Sequence, residues 1–150
     1  MNAIDSLIPL VTLYQPSLMA LTLLCLSVML QALLTAPLAF IKGEQAPGMP
    51  LVGDHASFSF RVLRTHANSV ESLPAFGLIL ILAIVIGAHP TAVNWLVVLH
   101  LIFRLLFWAV YYSGVGRAAG GIRTLAFVGA LFTSMGLVFA VLYRLHSLFA

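Results

Sequence analysis

The chain has 150 residues, of which 62% are hydrophobic and 7% charged, with a mean hydropathy of +1.11. An ordinary soluble domain carries roughly 25% charged residues, so composition excludes that class and indicates a single polytopic membrane domain over residues 1–150. The sequence pI is about 9.5, but the basic residues form no run of the kind that binds nucleic acid; they flank apolar segments, where they set topology.

A membrane helix needs about 20 apolar residues to cross some 30 Å of hydrocarbon. Four segments qualify, near residues 17–41, 58–88, 91–112 and 122–143. The fold expected is an all-α integral membrane protein, a four-transmembrane-helix bundle of up-down topology. Ahead of the first segment stand Asp5 and no basic run, which argues against a cleaved signal peptide. Cys25, the single cysteine, falls in the middle of the first segment and is expected to be a small core residue. Gly and Pro break the connection over residues 42–57, KGEQAPGMPLVGDHAS.

The second segment opens with FRVLRTHANSVESLPAF, residues 60–76. At about 100° per residue, Arg64 lies about 60°, Asn68 about 20° and Glu71 about 80° to one side of Arg61, so the four share one stripe. Two cationic forks, an amide and a carboxylate suit a small ligand of both charge signs; they equally suit a role in tying helices together. The segment would be about 46 Å long, which exceeds the hydrocarbon by roughly 15 Å. Its polar first half is therefore expected to project into the headgroup zone, with Glu71 just inside the boundary. Pro74 should bend the helix there and release a backbone carbonyl. His66 points about 140° from the stripe and reads as a packing residue.

A tight turn at His89 and Pro90 leads into the third segment, where His100, Arg104 and Tyr111 share a face. Arg104 stands about two turns inside, where a charge costs on the order of 3 kcal/mol to insert. The remedy expected is a Glu71–Arg104 pair. The third connection, SGVGRAAGG, holds Arg117, read as a topology-setting cation, and Arg123 opens the fourth segment in RTLAF. His55, His89 and His146 lie at segment ends without metal-ligand spacing, and no phosphate loop, CxxC or nucleophile elbow occurs. No metal is expected. Lys42, Arg61, Arg64, Arg117 and Arg123 cluster at the first and third connections, which the positive-inside rule places in the cytoplasm, with both termini on the opposite side.

The helical chain of about 150 residues, RxxRxxxNxxExxPxF on the second segment, the Arg104 and Tyr111 face, and RTLAF together resemble the membrane-associated proteins in eicosanoid and glutathione metabolism (MAPEG), over about residues 15 to 145. The resemblance implies a homotrimer with glutathione, as co-substrate, bound between subunits on the cytoplasmic side. It implies that Arg64, Asn68 and Glu71 hold the tripeptide, that Tyr111 contacts it, and that Arg123 activates its thiol as the catalytic residue; Arg61 and Arg104, on the same two faces, are expected to belong to the substrate-binding set. The second substrate would be a lipophilic small molecule entering from membrane lipid. Bacterial-type members are the most similar, which implies a bacterial inner membrane. The chain departs from the well-known glutathione-using members at Ala67, where they carry a further arginine. A transferase or peroxidase is thus the expectation; a non-catalytic lipid-binding relative and a structural or transport protein are the alternatives.

Overall fold

The computed structural model of the chain describes residues 3–40, 50–115 and 120–150. These form five helices and no strand: α1 (Ala3–Leu13), α2 (Gln15–Phe40), α3 (Phe58–Val85), α4 (Pro90–Ser113) and α5 (Ile122–Phe149). The helices α2 to α5 are each long and apolar enough to cross a membrane. They start within two residues of the expected positions, and α5 runs on to Phe149. Lys42 and Arg117, both expected to set topology, lie outside the described residues.

The helix α1 was not expected, and it is too short to span. It runs almost directly into α2: Tyr14 N bonds Leu10 O, and Leu18 N bonds Tyr14 O. The break falls where Pro16 has no N–H to offer and its ring crowds the carbonyl of Thr12. Within α2, Pro16 occupies the first turn, where a missing N–H costs nothing. At the other connection, Ser57 caps α3 by accepting from Phe60 N. The helix α3 then continues through Pro74 to Val85.

Both α3 and α4 touch each of the other spanning helices, and α4 against α5 is the most extensive pair. Phe76, Leu80, Val93, Val97 and Leu137 form the sealed core. Two glycines let α4 and α5 approach closely: a Cβ at Gly129 would lie 2.6 Å from the Phe103 ring, and one at Gly136 would lie 2.7 Å from Leu96. Leu33, Leu78, Phe132 and Phe139 are among many large apolar side chains on the outside, as a bundle surrounded by lipid requires.

Cys25 corrects the expectation of a core residue, because it is exposed. The buried row of α2 is Ser17, Leu24, Gln31 and Leu38, and Cys25 stands about 100° from that row.

One end of the bundle is fastened by polar contacts. Ser17 Oγ donates to Asn94 Oδ1 at 2.6 Å, and Asn94 Nδ2 donates to Leu13 O at 2.9 Å. Tyr14 donates to the Ala88 carbonyl, and Arg144 Nε donates to Ile86 O at 3.1 Å. At the opposite end the described parts of the α2–α3 and α4–α5 connections meet the bundle, with His55 beside Tyr111 and Gly114 against Arg61, and the polar stripe of α3 sits there.

Candidate functional site

At that end a cavity of about 220 Å³ is lined by His55, Arg64, Asn68, Phe107, Tyr111, Arg123, Thr124 and Phe127. Four expected site residues therefore meet: Arg64 and Asn68 from α3, Tyr111 from α4, and Arg123 from the first turn of α5. The Arg123 guanidinium lies 4.6 Å from the Tyr111 ring centroid, within cation–π range. The first turn of a 28-residue helix also presents N–H groups that lie ahead of the helical bonding pattern and the positive end of its dipole. Anionic groups are favoured at this corner of the cavity.

The other expected residues stand apart from the cavity wall. Arg61 Nη1 donates to the carbonyls of His55 and Ala56, each at 2.9 Å. Its fork thus fastens the connection before α3. Glu71 accepts from Arg64 Nη1 at 3.4 Å, and the two side chains are 59% and 42% exposed. At such exposure the pair contributes little to stability, but it aims the Arg64 fork.

The expected Glu71–Arg104 pair does not form. Arg104 is 2% exposed; its Nη1 donates to Asn68 Oδ1 at 2.8 Å and its Nη2 to Ser69 Oγ at 3.1 Å. Its guanidinium also lies 5.2 Å from the Phe107 centroid and 5.6 Å from the Trp108 ring. The reason is helical phase: Asn68 and Ser69 face α4, whereas Glu71 is carried onto the outer flank of α3. Neutral oxygens and aromatic faces solvate the buried cation in place of a carboxylate.

Ser69 is the hub of this arrangement. It also accepts from Trp108 Nε1 at 2.9 Å and donates to Thr65 O at 2.9 Å, which uses the full capacity of a hydroxyl. With Asn68 Oδ1 held by Arg104, the two N–H donors of that amide remain for a ligand.

His55 is the functional residue that sequence reasoning missed. Its Nδ1 lies 2.9 Å from the Tyr111 hydroxyl, and its ring meets Phe60 and Tyr111 edge-on. It belongs to an aperiodic connection, so no spacing links it to Tyr111. Thr124 and Phe127 were quoted only as part of RTLAF; Phe127 lies four residues after Arg123, a one-turn spacing that could have placed it on the same face, whereas Thr124 is the next residue, about 100° round.

A second cavity, of about 280 Å³, lies deeper between α3, α4 and α5. Phe76, Ile79, Leu131, Met135 and Val138 give it apolar walls, while Ser72, His100, Arg104 and Ser134 supply its few polar groups. His100, expected beside Arg104 and Tyr111, stacks on Phe76 at 3.7 Å and directs Nδ1 to Ala130 O at 3.0 Å. Phe127 lines both cavities, so a polar and an apolar compartment adjoin.

A further cavity, of about 360 Å³, is at the opposite end, lined by Pro16, Thr91, Asn94, Trp95 and Val98. It holds no titratable group, and Asn94 is already engaged by Ser17 and Leu13. Among the described residues no three His, Cys, Asp or Glu side chains group as metal ligands would.

The family model described as MAPEG matches residues 16–143 of the chain. No curated protein matches it.

Proposed function

The chain belongs to the MAPEG family, which includes glutathione-dependent enzymes and other members, and on that premise we propose that it is a glutathione-dependent membrane enzyme of transferase or peroxidase type. It works as a homotrimer, with the α2–α3 and α4–α5 connections in the cytoplasm. The observation that carries this reading is the convergence of Arg64, Asn68, Tyr111 and Arg123 on one cavity. Glutathione has two carboxylates and an ammonium group. Arg64 and the amide of Asn68 suit the carboxylates, and the exposed Glu71 suits the ammonium. The flank carrying Glu71 and Arg64 is open in the single chain, where a neighbouring subunit would close it.

Thiols react as thiolates, and an unperturbed cysteine thiol titrates near 8.5. Holding one ionised at neutral pH takes about 1.4–2.7 kcal/mol. One arginine at contact distance supplies an effect of that size, and in this reading Arg123, in the first turn of α5, is that arginine. The thiol proton leaves to water. In the apolar cavity beyond Phe127 the thiolate sulfur bonds the electrophilic carbon of a lipophilic molecule, expelling its leaving group or adding to an activated double bond that takes a proton from water. With a hydroperoxide it attacks the terminal oxygen, the O–O bond breaks and an alcohol leaves after protonation. The glutathione sulfenic acid then condenses with a second glutathione to give the disulfide and water.

Stopped-flow absorbance in the thiolate band tests this when glutathione is mixed with detergent-solubilised protein. A saturable rise is expected for the wild type, lost in Arg123→Ala while the oligomer persists. An unchanged rise in Arg123→Ala removes that residue from the mechanism. The apolar cavity, larger than the polar one, favours a second reading as a non-catalytic binder of amphiphiles. Folded, oligomeric wild-type protein that gives no rise at millimolar glutathione would select it.

A further inference from the structure

Three side chains away from the candidate site carry buried polar atoms with no hydrogen-bond partner among the described residues: Gln31 Oε1 on α2, His66 Nδ1 on α3 and Tyr112 Oη on α4. Gln31 is 4% exposed. An unpaired oxygen at that depth bears the full penalty of desolvation.

Helical register turns the three toward the same seam. Ser17 on α2 bonds Asn94 on α4. Tyr112 lies 18 residues after Asn94, about five full turns, and so faces α2 again. Gln31 lies 14 residues after Ser17 in the same buried row, about 40° from it. On α3, Gly77 packs against Leu21 of α2; His66, 11 residues earlier, is about 20° from Gly77 in phase and also faces α2.

Depth agrees as well as phase. From the Leu21–Gly77 contact, Gln31 and His66 lie about 15 and 17 Å along their helices in the same direction. From the Ser17–Asn94 contact, Gln31 lies about 21 Å and Tyr112 about 27 Å along. Both side chains lean toward their helix N-termini, which lie at the same end, and the longer tyrosine leans farther, which narrows that difference.

We propose that Gln31, His66 and Tyr112 form a polar site between α2, α3 and α4 that binds a water molecule. The amide oxygen and the imidazole nitrogen accept the two water protons, and the tyrosine hydroxyl donates to the water oxygen. That makes the three bonds usual for a buried water. None of the three atoms bonds another directly, so each has capacity left for a shared molecule. The site has a structural purpose: among the described residues, α2 makes direct side-chain bonds to other helices only in its first turn, through Ser17. A bound water fastens its other half.

Single and combined substitutions distinguish this site from three solitary unpaired atoms. If water bridges them, Gln31→Met and His66→Phe each deprive the other partners, and the apparent Tm in detergent falls by about 2–4 °C. The triple variant Gln31→Met/His66→Phe/Tyr112→Phe removes every group that needs the water and regains most of that loss. Solitary unpaired atoms would instead give an unchanged or raised Tm for each single variant, with additive increments in the triple; that result overturns the proposal. Should the triple variant fail to fold, high-resolution density of the wild type decides. Ordered water within about 3.2 Å of all three atoms supports the site, and direct bonding among them or apolar contact without water overturns it.

Discussion

Ser69 shows how much a single small side chain carries in a membrane bundle. Its hydroxyl accepts from Arg104 and from Trp108 and donates to the Thr65 carbonyl. Ser69→Ala leaves two buried donors short of an acceptor, an expected loss of about 1–3 kcal/mol. Denaturant titration in detergent checks this; a variant as stable as the wild type would mean that another group solvates Arg104. The stripe of Arg61, Arg64, Asn68 and Glu71 was legible because helical phase is a property of spacing alone. What each residue does there was not, because sequence cannot show which neighbours a side chain meets. Charge arithmetic offered Arg104 only Glu71 as a partner. The neutral oxygens of Asn68 and Ser69 proved better placed, and the Arg61 fork was taken by loop carbonyls.

Helix ends and helix contacts form the next scale. The spans were legible because apolar length and breakers such as Pro90 and the loop glycines are local signals. The helix α1 was not, since it is too short to stand out as a span and holds Pro9 inside it, while Pro16 serves as a first-turn residue of α2. The end of α5 was placed at residue 143, before Arg144 and His146, but helical hydrogen bonding continues past those polar residues to Phe149. Gly114 caps α4 at φ +69°, and a Cβ there would lie 2.8 Å from Arg61 Cζ. Gly114→Ala is therefore strained twice, and it pushes Arg61 off the carbonyls that hold His55 in place. A severalfold loss of glutathione affinity is expected although Gly114 lies outside the cavity wall; calorimetric titration showing wild-type affinity would contradict it. Gly129→Ala drives a methyl group into the Phe103 ring, with an expected cost of about 1–3 kcal/mol, read as a lower Tm. The same change at Gly136 meets the end of a mobile Leu96 side chain and should cost less.

For the whole molecule, the number of spans and the grouping of the two polar connections at one end were legible from hydropathy and turn residues. Assembly was not, because no spacing in the chain counts subunits and the surface that would meet a partner has the same apolar character as one that meets lipid. Orientation is open to test. With Cys25 replaced by Ala, a thiol introduced at His55 should react with an impermeant maleimide only from the cytoplasmic side, and one at Ser147 only from the other. The reverse labelling pattern would turn the protein over in the membrane and contradict the proposed cytoplasmic site. Light scattering of the detergent-solubilised wild type should give three chains per particle; a stable monomer would leave the flank beside Glu71 unfinished.

The setting of Arg104 has a consequence for how the cavity responds to ionic strength. Its partners are an amide, a hydroxyl and two aromatic rings, so a full positive charge stands uncancelled inside the bundle, one hydrogen bond behind Asn68 on the cavity wall. Dissolved counter-ions screen exposed charges over about 8 Å in physiological salt, but they do not reach a group that is 2% exposed. Arg64, nearly half exposed, loses much of its pull on an anion as salt rises. The pull of Arg104 persists, which gives the cavity a preference for negative charge that concentrated electrolyte weakens but does not abolish.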